Sequence, residues 1–172
     1  LVVDMQATES CSVPVVFNRV IVTHSYASLD FQTHITATND YSAGEFVMGI
    51  GTSPDATVGY DDGLDVFAPP APPPPAWDAA LFNLEVSDRF YGDYRETTPL
   101  DGSTTWAIDL MSESASSMTT LAWDPSTLGD GNFALTDAFG GVMFSHDMRT
   151  MDSIDLDPSF NRVLIVHSYF SF

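Results

Sequence analysis

The sequence predicts an all-β domain: a two-sheet antiparallel β-sandwich of jelly-roll or Ig-like type, with almost no helix. Three observations predict it. The polar positions hold turn and strand formers, for 19 of the 24 acids are Asp and Ser plus Thr number 34; these residues favour caps, turns and pleated surfaces over helix interiors. About ten short segments alternate apolar and polar residues between clusters of Gly, Pro, Asp and Asn, and no 3.6-residue apolar period persists. Finally, six of the seven residues at 69–75 are proline. Neither a helix nor a central strand tolerates such a run, because proline fixes φ and donates no backbone hydrogen bond.

A chain of 172 residues, 44% apolar, is one domain by length and buries a core without a staple. No apolar run reaches the ~18 residues of a membrane span. The formal charge of −19 comes from five Arg and no Lys set against an ordinary number of acids. Such a surface repels nucleic acid and anionic lipid and suits solubility outside the cell, cation binding or a salty medium. The lone Cys11 forms no intramolecular disulfide; it reads as a small buried or tolerated residue, with a bridge between subunits as the alternative. With no initiator Met and no visible leader, the chain reads as a mature form.

Residues 1–12 form an N-terminal arm in which Leu1, Val2, Val3 and Met5 make an apolar segment, followed by a polar spacer. This segment is either the first strand of the domain's own sheet or a donor strand for another subunit's sheet edge. The sandwich spans 13–172. Residues 13–29 read as a long strand, and 31–38 alternate Phe31, Thr33, Ile35 and Ala37 against Gln32, His34 and Thr36, the half-buried pattern of an antiparallel sheet. A turn leads to 45–50 with Phe46, Met48 and Ile50 inward. An Asp/Gly loop then enters the proline-rich crossover at 68–76, an extended polyproline II segment joining the two halves of the domain. Beyond it, 79–86 is a strand and 87–103 a polar and aromatic loop. Residues 104–111 alternate cleanly with Trp106, Ile108 and Leu110 inward, and 118–123 is the expected partner. Gly140-Gly141 marks a two-residue hairpin between 133–137 and 142–145, and 160–172 closes the chain as a long strand.

Residues 17–29 (FNRVIVTHSYASL) and 160–172 (FNRVLIVHSYFSF) match at eight of thirteen positions. The separation is nearly the whole domain, far beyond a solenoid period. It suggests opening and closing strands in equivalent environments, on the two edges or paired with each other; an unblunted terminal strand is an asset to a polymer.

The stretch Ala56-Thr57, Gly59-Tyr60-Asp61-Asp62-Gly63-Leu64-Asp65, the prolines of 69–75, Asp93-Tyr94-Arg95, Trp106, Leu121-Ala122-Trp123-Asp124 and Asp147-Met148-Arg149 together resemble a module of large secreted bacterial surface proteins, often found before a C-terminal sorting segment. The resemblance implies a secreted β-sandwich with a structural or adhesive task and supplies no catalytic residues. The chain lacks the sorting segment, which favours a free-standing assembling subunit.

Asp61, Asp62 and Asp65 are spaced to meet a hard cation such as Ca²⁺ with backbone carbonyls, or simply to cap turns; the positions of an EF-hand are missing. Asp124 and Asp130 form a weaker candidate. Arg95 and Arg149 each follow an acid by two residues, so that Asp93–Arg95 and Asp147–Arg149 read as structural ion pairs on one strand face. His24, His34, His146 and His167 lack metal-site spacing and read as strand histidines. No serine sits in a nucleophile elbow, Cys11 has no histidine beside it, and no phosphate loop occurs, so an enzyme is disfavoured. Phe90, Tyr91 and Tyr94 offer rings for glycan stacking. The Ser and Thr leave O-glycosylation open, while no N-glycosylation sequon is present. These features together predict a non-enzymatic structural subunit of an extracellular or cell-surface fibre, a homopolymer joined by strand addition. The alternative is an accessory module binding polysaccharide or Ca²⁺.

Overall fold

The computed structural model describes residues 28–169. The arm at 1–12 with Leu1, Val2, Val3 and Met5, Cys11, His24, the strand expected through residue 27 and the last three residues of the closing strand lie outside them.

The described residues are nearly all β. The strands are β1 (Phe31–Asn39), β2 (Glu45–Thr52), β3 (Val66–Phe67), β4 (Asp78–Asn83), β5 (Asp88–Arg95), β6 (Ser103–Met111), β7 (Thr119–Trp123), β8 (Asn132–Asp137), β9 (Ser145–Asp147), β10 (Ser153–Leu156) and β11 (Arg162–Ser168), with one 3-10 turn at Pro125–Thr127. They form one hydrogen-bonded path in the order β10-β7-β1-β2-β5-β4-β6-β11-β8-β9, with β3 alongside β5. No helix among the described residues is long and apolar enough to cross a membrane.

The path curls around its apolar face. On β1 the expected alternation holds: Phe31, Thr33, Ile35 and Ala37 are buried. The Phe31 ring meets Trp106 of β6 edge-on at 6.2 Å and Phe133 of β8 at 5.1 Å, although β6 and β8 lie far along the path. Residues 148–152 join the two ends of the path: the Met148 N–H donates to the Phe133 carbonyl (2.9 Å), and the Met148 carbonyl accepts from Trp123 Nε1 (2.8 Å). Inside lie Trp106, Phe90, Phe133, Ile35, Met48, Ile108 and Leu121, each contributing roughly 1.5–3 kcal/mol by burial.

The sheet is mixed, against the expectation of purely antiparallel strands. β2 and β5 run parallel from Gly49↔Gly92 to Thr52↔Arg95. The chain between them is long enough for the crossover that parallel pairing requires. Strand β5 joins the two halves of the path, pairing with β4 over Asp88 to Phe90 and with β2 over Gly92 to Arg95. At this junction Gly51 admits no side chain, because a Cβ there would sit 2.3 Å from the Phe31 carbonyl oxygen.

Four expectations are corrected. The strand expected at 79–86 ends at Asn83, whose carboxamide oxygen accepts from the Glu85 N–H at 3.0 Å and starts a turn; Leu84 and Val86 face solvent. The loop expected at 87–103 contains strand β5, which its charges disguised. Strand β6 pairs not with 118–123 but with β4 and β11, while β7 pairs with β1 and β10. The closing strand is no edge: β11 is flanked by β6 on one side and β8 on the other. Among the described residues the path ends on β9 and β10, of three and four residues, and ends that short are a usual protection against stray pairing.

The Gly140-Gly141 hairpin is present with a longer loop. The Asp137 carboxylate accepts the N–H groups of Phe139, Met143 and Phe144 at 2.7–3.0 Å, so the turn extends beyond two residues, with both glycines at φ near +80°.

Candidate functional site

The Asp/Gly loop is tied to β5 by its acids. Asp61 accepts from the Thr57 N–H at 2.6 Å and from the Thr57 hydroxyl. One Asp65 oxygen accepts from the Tyr94 N–H and the other from the Asp61 N–H, both at 2.8 Å. Burial pushes the Asp65 carboxyl up to about 6, the two N–H bonds opposing the shift and the charges of Asp93 and Asp61 adding to it. Asp62 points outward, exposed. The oxygens of Asp61 and Asp65 already hold the loop, and among the described residues no group of three or more His, Cys, Asp or Glu could hold a metal ion.

Beside the loop, Asp93 and Arg95 form the ion pair expected from their spacing, since strand geometry puts residues i and i+2 on one face. Arg95 Nη2 lies 2.8 Å from Asp93 Oδ2, and Nε also donates to the carboxylate. The Asp93 side chain is 1% exposed. Burial raises its carboxyl, and Arg95 pulls it back.

Asp147 and Arg149 are not an ion pair. Strand β9 ends at Asp147, whose carboxylate accepts from the Arg149 N–H at 2.9 Å in a turn, so the same-face rule does not apply. The Arg149 guanidinium instead donates to the carbonyls of Gly129 and Gly131. Asp124 caps the 3-10 turn through the Ser126 N–H, and the Asp130 carbonyl faces His167 at 2.8 Å. A carbonyl only accepts, so His167 Nε2 carries the proton and Nδ1 faces the Thr98 hydroxyl at 2.8 Å. Buried among these groups, His167 is held below the usual histidine value by desolvation.

The three rings expected to stack on a glycan, Phe90, Tyr91 and Tyr94, do not form an exposed face. All three lie on β5; Phe90 and Tyr94 are buried, and Tyr91 packs half-buried on Phe46 at 6.2 Å. The exposed rings are their neighbours: Tyr60 stacks on Phe67 at 4.3 Å and 9°, and Phe67 on Phe90 at 5.1 Å, so a ladder of rings climbs from core to solvent beside the crossover.

Sequence reasoning also missed an open cleft of about 590 Å³ beneath the start of the crossover, lined by Phe82 and by the ion pairs Arg89–Asp78 and Arg162–Asp109. Arg162 covers the Phe82 ring at 4.8 Å, and Arg89 donates to the Pro69 carbonyl. The partners stand 11 and 53 positions apart, separations that no spacing rule anticipates.

Among the described residues, the large apolar side chains Val142, 82% exposed, and Phe139, 74% exposed, sit at the hairpin tip. No protein-family model, no curated protein and no solved structure matches the chain.

Proposed function

We propose that the protein is a non-enzymatic structural component of an extracellular fibre or surface layer, a sandwich-type unit joined to further units of its own kind by strand addition. The observation that carries this reading is the setting of β11. Its Val163, Ile165 and His167 are buried while both of its backbone edges are paired. Residues 17–29 repeat the sequence of 160–172 at eight of thirteen positions, and in this unit the place between β6 and β8 is already held by β11. The charged side chains accord with a structural role, since Asp65, Asp93 and Asp137 each hold backbone or a neighbouring arginine.

Expression from the complete reading frame, followed by fractionation and sedimentation, tests the reading. Large assemblies in the medium or on the cell surface are expected; a monomer confined to the cytoplasm overturns it. A second reading, a polysaccharide-binding module, is favoured by the Tyr60–Phe67 ladder, because an outer aromatic face suits the C–H face of a sugar. Glycan binding lost in Tyr60→Ala and Phe67→Ala, by a protein that stays monomeric, selects that alternative.

A further inference from the structure

The strand sequence at 17–29 recurs 143 positions later, and the correspondence extends upstream. At the same offset Asp4-Met5 falls on Asp147-Met148 and Ser10 on Ser153, so that residues 1–29 lie over 144–172 without a gap. Several of the matched positions have structural duties. Met148 is fully buried and its backbone bridges the sheet ends. Asp147 caps the following turn, and Ser153 begins β10. Arg162, matched by Arg19, pairs with Asp109; Val163, matched by Val20, is core; His167, matched by His24, is fixed between Thr98 and Asp130.

We infer that residues 1–29 belong to a preceding copy of this sequence, in which they correspond to 144–172, so that copies repeat in tandem along one polypeptide with a period of 143 residues, an ordinary domain length. The inference rests on the reading that residues 17–29 serve another unit, and it commits that unit to the same chain. A separate copy is disfavoured as the acceptor because its position between β6 and β8 already holds its own β11. Displacing that strand would exchange Ile165 for Val22, a smaller side chain at a fully buried position. The connection fits: with Ser25 standing for Ser168, five residues (26–30) remain before β1 begins at Phe31.

Sequencing the coding region upstream of Leu1 tests this. The expected result is an in-frame copy of the β1–β8 sequence, with its proline run ending roughly 70 residues ahead of Leu1; a start codon or unrelated sequence there overturns the inference. Thermal unfolding of the full chain against a chain starting at residue 28 supplies a second arm. A midpoint shift below ~2 °C is expected, whereas a fall of about 10 °C would place residues 1–27 in this unit's own sheet. An upstream copy without extracellular assemblies would sink the functional reading and leave the tandem arrangement standing. Assemblies without an upstream copy would do the reverse.

Discussion

Replacing Arg95 with Met isolates the energetics of the junction strand. The Arg95 side chain is 9% exposed and the Asp93 side chain 1%, so the substitution keeps the bulk of the side chain and strands a carboxylate where water cannot reach it. Removing one partner of a buried pair costs about 3–5 kcal/mol. The Glu85 contact, at 3.7 Å on an exposed carboxylate, adds little. Because burial already raises the Asp93 carboxyl above 3.8 and Arg95 opposes that shift, the variant raises it further. A carboxyl whose folded value exceeds its unfolded value favours the native state when protonated, so the loss should shrink as pH falls from about 8 to about 5. Urea unfolding followed by tryptophan fluorescence is the assay, and Trp106 reports locally because its Nε1 donates to the Asp93 carbonyl at 2.9 Å. The double variant Asp93→Asn with Arg95→Met should lose less than Arg95→Met alone, since no charge is left buried. A loss under ~1 kcal/mol, or one independent of pH, would refute the reasoning.

Three further outcomes are expected. With a folded value of about 6 against 3.8, Asp65 contributes stability that is fully present below the unfolded value and lost as pH rises through about 6. Asp65→Asn should therefore flatten the stability–pH profile by up to ~3 kcal/mol between about pH 4 and 8; a profile parallel to that of the parent would show that burial does not act on this group. Gly51→Ala should destabilise by about 2–3 kcal/mol through the clash with the Phe31 carbonyl and the Tyr94 ring, and a neutral result in denaturant melts would mean that β1 and β2 separate readily. Chelation should move the thermal midpoint by less than ~1 °C; a clear fall would place a cation at the Asp/Gly loop.

The all-β character was legible because alternation and turn chemistry are local, as β1 and the clean strand at β6 illustrate. Pairing was not. It depends on which strands meet across the curl, and nothing near residues 160–172 announces that β11 lies between β6 and β8. Strand β5 hid behind Asp88, Arg89, Asp93 and Arg95, because a stretch this rich in charge reads as a surface loop, whereas the fold buries Asp93 and Arg95 together. The rings of Phe90 and Tyr94 were mistaken for surface for the same reason. Spacing predicted the Asp93–Arg95 pair because both residues lie on a strand; it failed for Asp147–Arg149 because the strand stops between them. The cleft required two long-range ion pairs, which only the fold creates.

The central claim is that this fold is a structural unit strung together with others of its kind. Negative-stain microscopy of the product of the complete reading frame tests it most directly. Beaded filaments or a continuous layer, with beads the size of one unit, are the predicted result. Isolated single-unit particles at every concentration would contradict it.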